Sequence, residues 1–179
     1  MGDKDLRSMA IGLGSDVPFF LLGGRARGRG RGEVLTPLPD GPEEWLALVF
    51  PPFPLSTAAV YGALSAPALT DPAAHTNLHG SASGGGPDRN DLEPAAESLR
   101  GELKRFRAAL SDHGATSARL SGSGSTVFGV FGDEESARRA LDGLAGLREE
   151  TMARMTIVKT VSKAEFARRA MPSLMGQRG

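Results

Sequence analysis

Asp16 lies in the stretch LGSDVPFFLL, residues 13–22, between a glycine-containing turn and a proline. Pro18 has no backbone N–H and disfavours the helical region for Val17, so the carboxylate sits on a stiff segment. The apolar run Phe19–Leu22 that follows is expected to be buried. A carboxylate held by its surroundings suits a catalytic acid or base. It equally suits a helix-end aspartate that accepts from nearby amides. The second candidate is Ser121-Gly122-Ser123-Gly124-Ser125. Glycine lets backbone approach a ligand closely, and successive amides can form an anion nest. The same five residues also suffice for a hairpin turn.

Other residues invite chemistry less strongly. Tyr61 falls one helical turn after Thr57, behind a Ser56 that can cap a helix; on spacing alone it is a packing residue with its hydroxyl in water. Arg25, Arg27, Arg29 and Arg31 alternate with small residues. Without interleaved aromatics they read as one face of a strand entering a glycine turn, rather than as an RNA-gripping tract. His75 and His79 have helical metal-ligand spacing but no third ligand nearby, so they read as surface histidines. GSASGGGPD, residues 80–88, lacks the preceding strand that a phosphate cradle needs and reads as a flexible link.

The elements that must position these residues follow from periodicity and punctuation. Asp3–Ile11 reads as the last turns of a helix, stopped by Gly12 and Gly14. Glu33–Leu38 has strand character, and the apolar Trp45–Phe50 reads as a buried strand ended by Pro51, Pro52 and Pro54. Asn90 and Glu93 have capping-box spacing at the start of a helical region. Leu99, Leu103, Phe106 and Leu110 then form its core face, and Gly114 stops it. Strands flank the glycine–serine loop within 116–131, Asp133 caps a helix carrying Ala137, Leu141 and Leu144, Met155–Val161 is a strand, and Lys163–Arg169 is a short basic helix. The order after Trp45 is strand, helix, helix, strand, strand, helix, strand. That is an α+β sandwich with an antiparallel sheet.

Bulk properties narrow the function classes. The 179 residues fit one full domain or one and a half small ones, and 40% hydrophobic content supplies a core. Formal net charge is zero, which gives no global electrostatic case for nucleic acid or membrane. Cysteine is absent, excluding disulfides and thiolate metal sites. With no long apolar span and no signal-peptide block, the expectation is a cytoplasmic protein.

The segments LGSDVPFFL, GRGEVLTPLP, PLSTAAVY, NDLEPA and ARLSGSGSTVFGVF occur in this order. Together they resemble the later half of the 4-diphosphocytidyl-2-C-methyl-D-erythritol kinase family, within the GHMP kinase superfamily. The resemblance runs from Leu13 to about Thr160. Gly12-Leu13-Gly14-Ser15 mimics the superfamily's ATP-binding GLGSS pattern, but the Asp16-Val17-Pro18-Phe19 after it belongs to a later motif. The resemblance implies ATP-dependent phosphorylation of the 2-hydroxyl of the cytidyl diphosphate methylerythritol, in non-mevalonate isoprenoid synthesis, with Mg2+ accompanying ATP. Asp16 falls on the family's catalytic aspartate, and Thr57 and Tyr61 fall on its cytidine pocket. Ser121, Gly122, Ser123, Gly124 and Ser125 fall on its phosphate-proximal loop. No residue is assigned to a protein metal site, and neither nucleic acid nor membrane is an expected partner.

The family's N-terminal lysine motif, its tyrosine–histidine pair and its long glycine-rich ATP loop have no counterpart here. The chain is therefore expected to be a C-terminal portion, inactive alone. Residues 1–40 are expected to be a remnant of the ATP-binding domain and 41–179 the substrate domain. A degenerate non-catalytic half, or a homoserine- or mevalonate-type kinase, is the alternative.

Overall fold

A computed structural model describes residues 3–64 and 90–170; His75, His79 and the 80–88 stretch lie outside the described residues. The chain forms two compact units. One comprises residues up to Glu43 together with those from Val161 onward, and the other is Glu44–Thr160. The basic C-terminal helix thus groups with the first unit, for a reason visible in its packing.

The first unit begins with helix α1 (Asp3–Leu13), a turn, and the single-turn helix α2 (Phe19–Leu22). A hairpin of β1 (Arg25–Arg29) and β2 (Val34–Leu38) follows, antiparallel with Arg27 opposite Thr36. Helix α8 (Lys163–Ala170) closes the unit. The Phe166 ring of α8 lies so close over Gly23 (φ +64°) that a Cβ there would overlap it. The Lys163 amide donates to Asp40 Oδ2 at 3.0 Å. The apolar run Phe19–Leu22 is partly exposed in this chain: Phe20 is 62% and Leu21 39% exposed. A four-residue helix has one inward side at most, and α2 buries no residue.

The second unit is a four-stranded antiparallel sheet in the order β4-β5-β3-β6, as expected for the α+β class. Its strands are β3 (Trp45–Phe50), β4 (Ser117–Leu120), β5 (Val127–Phe131) and β6 (Arg154–Lys159). Helices α5 (Glu102–Asp112) and α6 (Glu134–Gly143) pack on it, α5 against β4 and β5, α6 against β3, β5 and β6. Ala47 and Val49 of β3, Val127 and Phe131 of β5, and Leu103, Phe106 and Leu110 of α5 share one buried cluster. Gly129 of β5 is a notch for α5, since a Cβ there would meet the Leu110 Cβ at 3.2 Å. The unit's two ends are bonded side by side: the Thr160 amide donates to Glu44 O and the Glu44 amide to Thr160 Oγ1, both at 2.9 Å.

Three local expectations differ. The helical region after Asn90 is two helices, α4 (Glu93–Leu99) and α5, because Arg100 is extended at φ −145°, ψ 92° and Gly101 restarts the helix. Leu99, at that break, is 42% exposed rather than core. Asn90 and Glu93 do not form a capping box, since Glu93 is turned inward to a strand amide. A further helix, α7 (Ala145–Thr151), was not anticipated.

Candidate functional site

In the first unit, Asp16 occupies the turn joining α1 to α2, where the Val17 amide donates to Gly14 O and the Phe19 amide to Asp16 O, both at 3.2 Å. Its side chain is exposed and does not cap α2, which has no side-chain cap bond. The β1–β2 turn stands next to it: a Cβ on Gly32 (φ +111°) would lie 3.3 Å from Asp16 Oδ1. Glu33 stiffens that turn by accepting from the Arg31 amide at 2.8 Å. Its own amide and that of Arg31 hold the Glu33 carboxyl below its ordinary value. An exposed carboxylate on a proline-stiffened turn, with a glycine beside it, is open to a proton donor from outside the protein.

In the second unit, the short helix α3 (Thr57–Gly62) starts at Ser56, whose hydroxyl accepts from the Ala59 amide at 3.4 Å. Val60 anchors the helix in the core, while Thr57 is exposed and Tyr61 is 56% exposed. The glycine–serine loop joins β4 to β5 and comes to α3: Thr57 Oγ1 and Ser123 Oγ are 3.0 Å apart. Two of the three expected groups therefore meet, with Tyr61 one turn further along the same helix. Within the loop, the Ser121 amide donates to Thr126 O at 2.9 Å and the Gly124 amide to Ser121 O at 3.0 Å. Gly122 (φ +59°) and Gly124 (φ +89°) take the left-handed conformations that make glycine necessary.

Two residues that were not candidates for the site hold this loop. Asn90 Nδ2 donates to Leu120 O at 3.1 Å and to Gly122 O at 2.8 Å. Glu93 accepts from the Leu120 amide at 2.8 Å and lies 3.6 Å from Arg119. Burial pushes the Glu93 carboxyl up, while the Leu120 amide, Arg119 and Arg107 oppose the shift. Both lie in the segment NDLEPA, but the Asn90–Glu93 spacing reads by local rules as a cap and points to no partner in the loop.

Among the described residues no three His, Asp or Glu side chains are grouped to hold a metal ion. No described helix is long and apolar enough to cross a membrane.

Residues 74–147 match the family described as GHMP kinases C terminal. The 4-diphosphocytidyl-2-C-methyl-D-erythritol kinase of Heliobacterium modesticaldum is 33% identical, over 91% of this chain and 58% of its own. That of Moorella thermoacetica is 42% identical, over 81% of this chain and 54% of its own. A crystal structure of 4-(cytidine 5'-diphospho)-2C-methyl-D-erythritol kinase, 35% identical, superposes with a TM-score of 0.69 over 88% of this chain and 58% of that one. The chain spans just over half the length of these relatives. The antiparallel α+β unit thus has the fold of that solved kinase, and the segment within it, residues 74–147, carries the match to the GHMP kinase C-terminal domain.

Proposed function

We propose that this chain supplies the substrate side of a kinase that phosphorylates 4-diphosphocytidyl-2-C-methyl-D-erythritol with ATP, in the cytoplasm, as a step of isoprenoid precursor synthesis. The observation that carries the reading is the similarity of most of the chain to kinases of that name. The contact of Thr57 with the glycine–serine loop supports it.

Asp16 accepts the proton of the attacking hydroxyl. The hydroxyl oxygen forms its bond to the γ-phosphorus as the bond to the ADP oxygen breaks, and the proton ends on the Asp16 carboxylate. Phosphoryl transfer asks little covalent chemistry of a protein and much positioning. Tyr61 offers an exposed ring for the cytosine, and the Thr57 hydroxyl a hydrogen bond one turn away. Residues 121–125 lie along the phosphates. Mg2+ would neutralise charge on the ATP phosphates.

The test is ATP-dependent phosphorylation of the cytidyl substrate, by the 179-residue chain alone and by the chain joined to the remaining part of a relative. The chain alone should be inactive and the joined form active. A joined form that binds ATP and the cytidyl compound but transfers no phosphate would favour a non-catalytic role.

A further inference from the structure

A five-residue hairpin tip can close on its own backbone bonds. Here the Ser121–Ser125 loop is gripped from outside as well. Leu120, its last strand residue, has both its peptide groups taken by side chains from the start of α4: its N–H by Glu93 and its C=O by Asn90. Asn90 holds Gly122 O too, past the first left-handed glycine. The Asn90 amide is itself oriented, because its Oδ1 accepts from the Leu92 amide at 3.0 Å, leaving Nδ2 to face the two carbonyls. Glu93 is 7% exposed, and burying a carboxylate is costly unless its partners are fixed. A turn needed only to connect two strands would not require a buried acid. One residue beyond Gly122, Ser123 reaches Thr57.

We infer that Asn90 and Glu93 are positioning residues for the kinase site, holding the glycine–serine loop in the shape that sets Ser123 against Thr57. The structural half of this stands alone; the catalytic half rests on the function proposed above. Neither side chain touches substrate. Both act through Leu120 and Gly122, so the loop's geometry is formed before a ligand arrives and is not ordered at its expense.

Amide hydrogen exchange of the 179-residue chain tests the structural half. In Asn90→Ala, exchange at Ser121 and Gly124, whose amides are bonded within the loop, should rise about tenfold, the equivalent of one or two lost hydrogen bonds. Exchange of Leu103–Leu110 should be unchanged. Asn90→Asp, which keeps an oxygen for the Leu92 amide but loses both donors, should do the same, and serves if Asn90→Ala does not fold. Glu93→Gln keeps an oxygen for the Leu120 amide and should stay near the parent, whereas Glu93→Ala should not. Unchanged loop exchange in the Asn90 variants and in Glu93→Ala would overturn the inference. In the active form from the assay above, Asn90→Ala should lower kcat about tenfold or more while still folded at the assay temperature, and Glu93→Gln should retain kcat. Loosened exchange with normal kcat would overturn the positioning role. If the parent itself transfers no phosphate, the kinase reading fails while the exchange result still decides the grip on the loop.

Discussion

The two units hold their candidate residues in different ways. The second places its residues on elements anchored in a closed core: Val60 fixes α3 beneath Thr57, and the loop leaves strands whose Val127 and Leu120 are buried. The first holds Asp16 with turn chemistry, a proline after it and a Glu33-stiffened turn beside it, while Met9, Leu13 and Phe20 are 59%, 80% and 62% exposed. Rigidity near a site can thus come from packing or from backbone restriction. The two fail in different ways: a packed support loses stability when a side chain is cut back, whereas a turn-held residue loses function with little change in stability.

The largest effect should come from the turn-held residue. In an active form, Asp16→Asn keeps the shape and removes the proposed base, and turnover should fall by roughly 10²–10⁴ with the melting temperature nearly unchanged. Steady-state kinetics beside thermal unfolding reads both, and near-normal turnover would make Asp16 a turn residue only. The packed unit should answer in the opposite sense. Phe106→Ala opens a cavity in a fully buried cluster and should cost about 3–5 kcal/mol in urea unfolding. Phe20→Ala, on the exposed α2, should stay within about 0.5 kcal/mol. Equal losses would erase the contrast between the units.

A smaller effect is expected at the exposed ring. Tyr61→Ala should weaken cytidyl-substrate binding by about 1–3 kcal/mol, the range for base–aromatic stacking, and leave ATP binding alone. Titration calorimetry with each ligand separates a lost stacking surface from general damage, which would weaken both.

The smallest is a pH dependence. Burial raises the Glu93 carboxyl in the folded chain, where it faces Arg119, Arg107 and Glu97. A raised folded value contributes stability that is complete below the unfolded value near 4.5 and lost as pH rises through the folded one. Wild type should therefore gain stability relative to Glu93→Gln as pH falls through that window. Asp133, held low by the Ser136 amide and hydroxyl, acts in the reverse direction in both proteins and cancels in the difference. A melting-temperature difference that is flat with pH would show that Glu93 is not desolvated in solution.

What the sequence carried was local. Trp45–Phe50 was readable to the residue because six apolar side chains stop at prolines. Leu103, Phe106 and Leu110 were readable because their spacing repeats on one helix face. The glycine–serine loop announced itself by composition. The roles of Asn90 and Glu93 were not legible, since their partners lie about thirty residues on and no local pattern encodes a pairing at that range. The break at Arg100 was hidden because leucines on both sides kept the period across it. Phe20 shows the limit of an apolar run, which signals a preference for burial without saying that the chain provides it.

The bonded ends at Glu44 and Thr160 carry a consequence in time. The second unit is complete once Thr160 has been synthesised, whereas the first is interrupted by all of it. Phe166, which covers Gly23, is made only after the whole stretch from Glu44 to Thr160 has been added. At roughly 5–20 residues per second that interval is about 6–23 s. Throughout it the segment bearing Asp16 waits on the ribosome with its last helix unmade, so the order of translation makes the unit that starts first the last to close.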